Sequence, residues 1–70
     1  MDPQVKDITL NGETRSSRAQ SLSELLVELG VNETALVAEL NGSIVPQTDF
    51  TSTGISAGDT IELVRFVGGG

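Results

Sequence analysis

The sequence predicts an α+β fold, with one main helix packed on one face of a mixed sheet of four to five strands. Three observations carry that expectation. A short amphipathic segment with a cap at each end lies between strand-like runs. Two Asn-Gly pairs, Asn11-Gly12 and Asn41-Gly42, separate alternating runs in the manner of tight hairpins. The whole chain is 70 residues, which suits one small domain around one core.

Residues 1–4 read as a short leader. From Lys6 to Leu10 the pattern alternates, with Ile8 and Leu10 on one face and Asp7 and Thr9 on the other, as in a half-buried strand. Asn11-Gly12 turns the chain, because both residues tolerate positive φ. Thr14 to Ala19 is the expected return strand, placed by the turn rather than by its own Ser- and Arg-rich pattern.

Ser21, Leu22, Ser23 and Glu24 form a capping box, in which the Ser21 hydroxyl accepts from the Glu24 amide and the Glu24 carboxylate reaches back to the Ser21 amide. The stripe Leu22, Leu25, Leu26, Leu29 then has helical spacing, and Gly30 ends it as a left-handed cap. A helix of about nine residues does not hold alone, so it must pack on the sheet. Glu24 and Glu28 read as solubilising charges on its water-facing side.

After a polar loop at Asn32 to Thr34, Leu36 to Leu40 alternates as a strand with Leu36, Ala38 and Leu40 on one face. Asn41-Gly42 turns it into Ser43, Ile44 and Val45, which Pro46 halts because proline cannot donate to a ladder. Gln47 to Ser56 is irregular, with Phe50 and Ile55 as plugs into the core. Ala57, Gly58 and Asp59 form a turn. Thr60 to Val67 is the last strand, with Ile61 and Leu63 inward and Glu62, Val64 and Phe66 opposite.

The order is β-β-α-β-β-β. Economical packing sets the strands on either side of the helix crossover in the sheet centre and makes the first and last strands neighbours. This is the β-grasp, or ubiquitin-like, arrangement. It divides the chain into a domain at residues 1–67 and a flexible glycine tail at 68–70.

Composition narrows the function. Cysteine and histidine are both absent, which removes disulfides, Cys-based metal sites and the commonest general base. Four basic residues stand against ten acidic ones, a formal net charge of −6. A phosphate backbone repels such a surface, so nucleic acid is not an expected partner, whereas a basic protein patch is. The same charge also serves simple solubility. No apolar run reaches membrane-spanning length and no signal peptide is evident, so a cytoplasmic address and no membrane partner are expected.

The C-terminal sequence is Val67, Gly68, Gly69 and Gly70. Glycines after an apolar strand make a stalk without side chains, thin enough to enter a narrow enzyme channel and ending in a carboxylate. A frayed terminus or a cloning scar is the plainer account of the same residues.

Taken with the order of elements, the chain resembles the ThiS family of ubiquitin-like sulfur carriers in thiamine biosynthesis. The resemblance runs from Val5 to Gly70. It rests on Ile8-Thr9-Leu10-Asn11-Gly12-Glu13, on Leu22 with Leu25-Leu26, on Leu40-Asn41-Gly42-Ser43-Ile44-Val45-Pro46, on Gly58-Asp59-Thr60-Ile61-Glu62-Leu63 and on the terminal glycines. The family often has a basic residue after the Val-Pro pair, where this chain has Gln47, so no partner contact is carried over to that side chain. The leader is longer than usual, and Gly68 is an additional glycine.

The resemblance implies a carrier, not an enzyme. A ThiF-type, E1-like adenylating enzyme would join the Gly70 carboxylate to AMP, and a persulfide sulfur donor would then displace AMP to leave a thiocarboxylate on Gly70. Thiazole synthase would take that sulfur into the thiazole ring. Gly68 and Gly69 would insert with the tail. ATP and Mg²⁺ would belong to the partner, and this chain would bind no cofactor and no metal of its own. Val37, Val64 and Phe66 fall opposite the helix-facing positions and are the expected docking residues, with nearby acidic residues meeting a basic rim. Coverage of the core edge is the competing account of those three. Arg15, Arg18 and Arg65 read as solvated charges.

Other readings share parts of this picture. The small subunit of molybdopterin synthase has the same fold, tail and sulfur chemistry, and a carrier for another sulfur-requiring pathway fits the same features. A protein-conjugating modifier would instead join Gly70 to lysines. A non-covalent interaction module would make the glycines incidental.

Overall fold

The computed structural model describes residues 4–34 and 36–65. Among these residues, five strands and one α-helix follow in the order β1 (Lys6–Leu10), β2 (Glu13–Ser17), α1 (Leu22–Leu29), β3 (Leu36–Leu40), β4 (Ser43–Val45) and β5 (Thr60–Arg65). A single 3-10 turn at Gln47–Asp49 opens the long connection before β5. The sheet order is β2-β1-β5-β3-β4. β1 and β5 run parallel, and the other neighbouring pairs are antiparallel. This is the expected mixed sheet, with the first and last strands adjacent.

One expectation about the sheet is corrected. β2 and β3 flank the helix crossover, but they do not share the centre: β2 is an edge strand and β5 takes the middle. The physical reason lies in composition. β2 is Glu-Thr-Arg-Ser-Ser and buries only Ser17, so it can stand at an edge, whereas Ile61 on β5 needs neighbours on both sides. β2 also ends at Ser17, short of the Ala19 boundary expected from the sequence.

The helix is built as its sequence dictates. The Ser21 hydroxyl accepts from the Glu24 amide at 3.1 Å. The first-turn amides that a helix leaves unsatisfied are taken up by the following connection: Leu22 N–H donates to Thr53 O at 2.9 Å and Ser23 N–H to Phe50 O at 3.0 Å. Glu24 does not close the box onto Ser21. Its carboxylate accepts instead from the Gln20 amide at 2.9 Å, one residue earlier. Gly30 ends the helix at φ +70°, and the next amide, Val31 N–H, returns to Leu26 O.

Leu22, Leu25 and Leu26 are fully buried against Ile8, Ala38 and Ile61, with Phe50 and Ile55 plugging the core from the long connection. Leu29 packs at its margin. Glu28 is more than a solubilising charge. Its carboxylate accepts from the buried Ser17 hydroxyl at 2.8 Å and from the Arg18 amide at 2.9 Å, tying the end of β2 to the helix. Those bonds satisfy polar groups that burial would otherwise leave unpaired.

Candidate functional site

The expected chemistry lies at the C-terminal glycines, so the site is built outward from β5, the strand that leads toward them. Phe66 and the tail residues Gly68, Gly69 and Gly70 lie outside the described residues. What the structure describes is the strand at their root and the surfaces beside it.

β5 is gripped by the two asparagines of the tight turns. Asn11 and Gly12 have φ of +49° and +84°, and Asn41 and Gly42 have +52° and +88°, the type I′ pattern that suits two-residue hairpins. In this conformation each asparagine directs its side chain to β5. Asn41 Oδ1 accepts from Thr60 N–H at 2.9 Å while its Nδ2 donates to Asp59 Oδ1 at 3.1 Å. Asn11 Oδ1 accepts from Leu63 N–H at 2.7 Å while its Nδ2 donates to Leu63 O at 3.3 Å. The Asn-Gly pairs signal the turns in the sequence, but nothing local shows that they also hold a strand 52 residues away from Asn11.

The face of the sheet away from α1 divides into two halves. On β2 and β1 it is polar, with Thr14 opposite Thr9 and the Ser16 hydroxyl donating to Asp7 Oδ1 at 3.2 Å. On β5, β3 and β4 it is apolar and acidic. Val64 stands directly opposite Val37, and one row along Glu62 stands opposite Glu39, which in turn faces Ile44. Val64 is 55% exposed and Ile44 67% exposed, while Val37 is half-buried. Two of the expected docking residues, Val37 and Val64, are therefore cross-strand neighbours on the open face. Ile44 belongs to the same surface. Its signal in the sequence was the alternation of Ser43, Ile44 and Val45, which turns Ile44 outward once Val45 points to the core.

The Glu39 and Glu62 pairing is unfavourable in isolation, since like charges directly opposite on a sheet destabilise it. A cation brought between them by another protein would relieve that repulsion. On the helix side, at the end of β5, lies a shallow cleft of about 370 Å³ lined by Leu10, Leu29, Val31, Leu36 and Leu63, with Arg65 at its rim. Apolar surface thus flanks the tail root on both sides of the sheet.

Two other depressions among the described residues lie away from the end of β5. One of them, about 750 Å³, opens at the opposite end of β1 around Lys6 and Gly58. The Lys6 ammonium there donates to Ala19 O at 2.8 Å and Ile55 O at 3.0 Å, holding two loops together. Arg15, Arg18 and Arg65 are exposed. Among the described residues no group of three or more acidic, cysteine or histidine side chains is placed to hold a metal ion. No helix among them is long and apolar enough to cross a membrane.

Comparison with known proteins adds a family to this geometry. The sequence model of the ThiS family matches residues 6–70. Over 64 residues the chain is 38% identical to a thiazole synthase of Paramagnetospirillum magneticum, covering 90% of this chain but only 20% of that protein. It is 39% identical to an uncharacterized protein of Pyropia yezoensis, with 90% of each chain covered. The crystal structure of the thiamine biosynthesis protein ThiS from Geobacter metallireducens superposes with a TM-score of 0.78 at 31% identity, covering 91% of this chain and 99% of that one. A solution structure of a thiamine biosynthesis protein from the same organism gives 0.75 at 31% identity, over 91% and 87% of the two chains.

Proposed function

The chain belongs to the ThiS family, and on that premise we propose that it is a sulfur carrier of thiamine biosynthesis, loaded at Gly70. The observation that carries this reading is the family match from β1 through the terminal glycines, in a chain whose last strand is held centrally in the sheet.

The chemistry follows from what a carboxylate needs. A free carboxylate is a poor electrophile, so a ThiF-type adenylating enzyme converts Gly70 to an acyl adenylate, releasing pyrophosphate from Mg-ATP. The terminal sulfur of a persulfide attacks the acyl carbon and AMP leaves. A thiol then cleaves the S–S bond, releasing the thiocarboxylate. The carrier supplies no acid, base or metal in these steps. Its part is presentation: a thin arm of glycines on a fixed strand, and a surface that docks.

Thiazole synthase is the proposed acceptor. A protein of that name contains a segment 38% identical to 90% of this chain, which supports a working association between the two activities. For docking we propose the outward face, with Val37, Val64 and Ile44 as its described apolar part, Phe66 joining them, and Glu39 and Glu62 receiving a basic side chain of the partner.

The test is intact mass after incubation with a ThiF-type enzyme, Mg-ATP and a persulfide donor with thiol. The expected result is a gain equal to one oxygen exchanged for one sulfur, lost when Gly70 is deleted. No gain with a partner proven active on its own carrier overturns the reading. Isopeptide-linked products would move it to a protein modifier.

A further inference from the structure

β5 outruns β1. On the β3 side, paired positions continue to Leu36 and Arg65. On the β1 side they stop at Leu10 and Ile61, followed by one backbone bond from Asn11 N–H to Ile61 O at 2.9 Å. A regular parallel ladder would next set a residue against Leu63, with the C=O before that residue accepting from the Leu63 N–H and the N–H after it donating to the Leu63 C=O. β1 cannot supply that residue, because the chain turns away at Asn11-Gly12.

The Asn11 side chain stands in for it. A carboxamide has the same planar donor and acceptor set as a peptide group. Its Oδ1 accepts from Leu63 N–H at 2.7 Å and its Nδ2 donates to Leu63 O at 3.3 Å. Asn41 has the same turn geometry but a different target, since it bonds Thr60 at the start of β5 and the Asp59 side chain. Of the two, the Asn11 clamp is the one near the strand's exit.

Resting on the carrier reading, we propose that Asn11 is a positioning residue for the C-terminal tail: its carboxamide holds Leu63 from the β1 side and so fixes the direction in which β5 presents the chain to the adenylating enzyme. Without it, β5 beyond Ile61 keeps, among the described residues, strand pairing to β3 only. The root of the tail then samples more directions, and fewer docked complexes place the carboxylate in line with ATP. Docking through the outward face is unchanged, so the loss falls on kcat and not on KM.

Two substitutions isolate the effect. Asn11→Gly and Asn41→Gly both keep the positive φ of their turns without strain, and each removes one carboxamide. Adenylation is followed by pyrophosphate release with full-length protein, and amide hydrogen exchange is followed on the free proteins. Asn11→Gly is expected to lower kcat about tenfold with KM within about twofold. Asn41→Gly, at a comparable loss of Tm, is expected to change kcat by less than about twofold. Exchange at Leu63 accelerates in the first variant and not in the second. Equal effects of both variants on kcat, or a change in KM alone, overturn the proposal. If the wild-type chain is not adenylated at all, the carrier reading fails first. Leu63 exchange then judges the clamp by itself: unchanged protection in Asn11→Gly overturns it, and selective loss supports it.

Discussion

Along β5 and β3, adjacent residues occupy opposite environments. Ile61 and Ala38 are fully buried beneath α1, while Glu62 and Val64 turn to the open face beside Glu39 and Val37. The buried face is specified by packing. Leu22, Leu25 and Leu26 fill the space over it, and the core side chains there lose water to gain contact. The open face retains features that folding alone does not favour: exposed valine and isoleucine, and two glutamates set directly opposite each other. One sheet surface holds the domain together, while the other leaves apolar and acidic side chains in water.

The largest effect is expected where the first surface is broken. Ile61→Ala removes a fully buried side chain from the central strand. A loss of roughly 2–5 kcal/mol is expected, a large part of the total for a domain this small. Urea unfolding followed by circular dichroism measures it, and a midpoint close to wild type would show that the core closes over the gap.

A smaller effect, of a different kind, is expected on the open face. Val64→Thr keeps the branched shape suited to a strand and should move stability by less than about 0.5 kcal/mol. Removing an apolar contact that docking buries should lower kcat/KM for adenylation by about tenfold. Normal adenylation by this variant would remove Val64 from the docking surface. A matching fall in Tm would assign it to the fold instead.

The smallest effect sharpens the contrast by its sign. Glu62→Gln relieves the repulsion across from Glu39 and should stabilise the free domain by a few tenths of a kcal/mol. The same change should weaken partner binding, most visibly at low salt where charge attraction is least screened. Calorimetric unfolding and partner binding at two ionic strengths measure the pair of effects. Losses in both would mean that Glu62 supports the sheet.

Much of this was readable along the chain because the signals are short. Ser21 and Gly30 bound the helix through bonds to residues within a turn of themselves. Asn11-Gly12 and Asn41-Gly42 set their hairpins by conformations that few other residue pairs accept. The alternation at Thr60 to Val64 sets Ile61 inward and Val64 outward whatever strands lie beside them. The misreadings involve residues that look ordinary by themselves. Glu28 reads as a surface charge until Ser17 is brought beneath it. β2 and β3 look central from their place around the helix, until β5 enters beside β1.

The sequence by itself determined the elements, the helical stripe, the two tight turns and the resemblance carried by the glycine end, since each depends on spacing over a few residues. Only the tertiary structure decided that β5 lies in the middle of the sheet, that Val37 and Val64 face one another with Ile44 nearby, and that Asn11 closes the ladder at Leu63. Those facts depend on pairings between distant segments. A strand pattern specifies which way a side chain points, but the identity of its neighbours is fixed only when the whole sheet buries its apolar face at once.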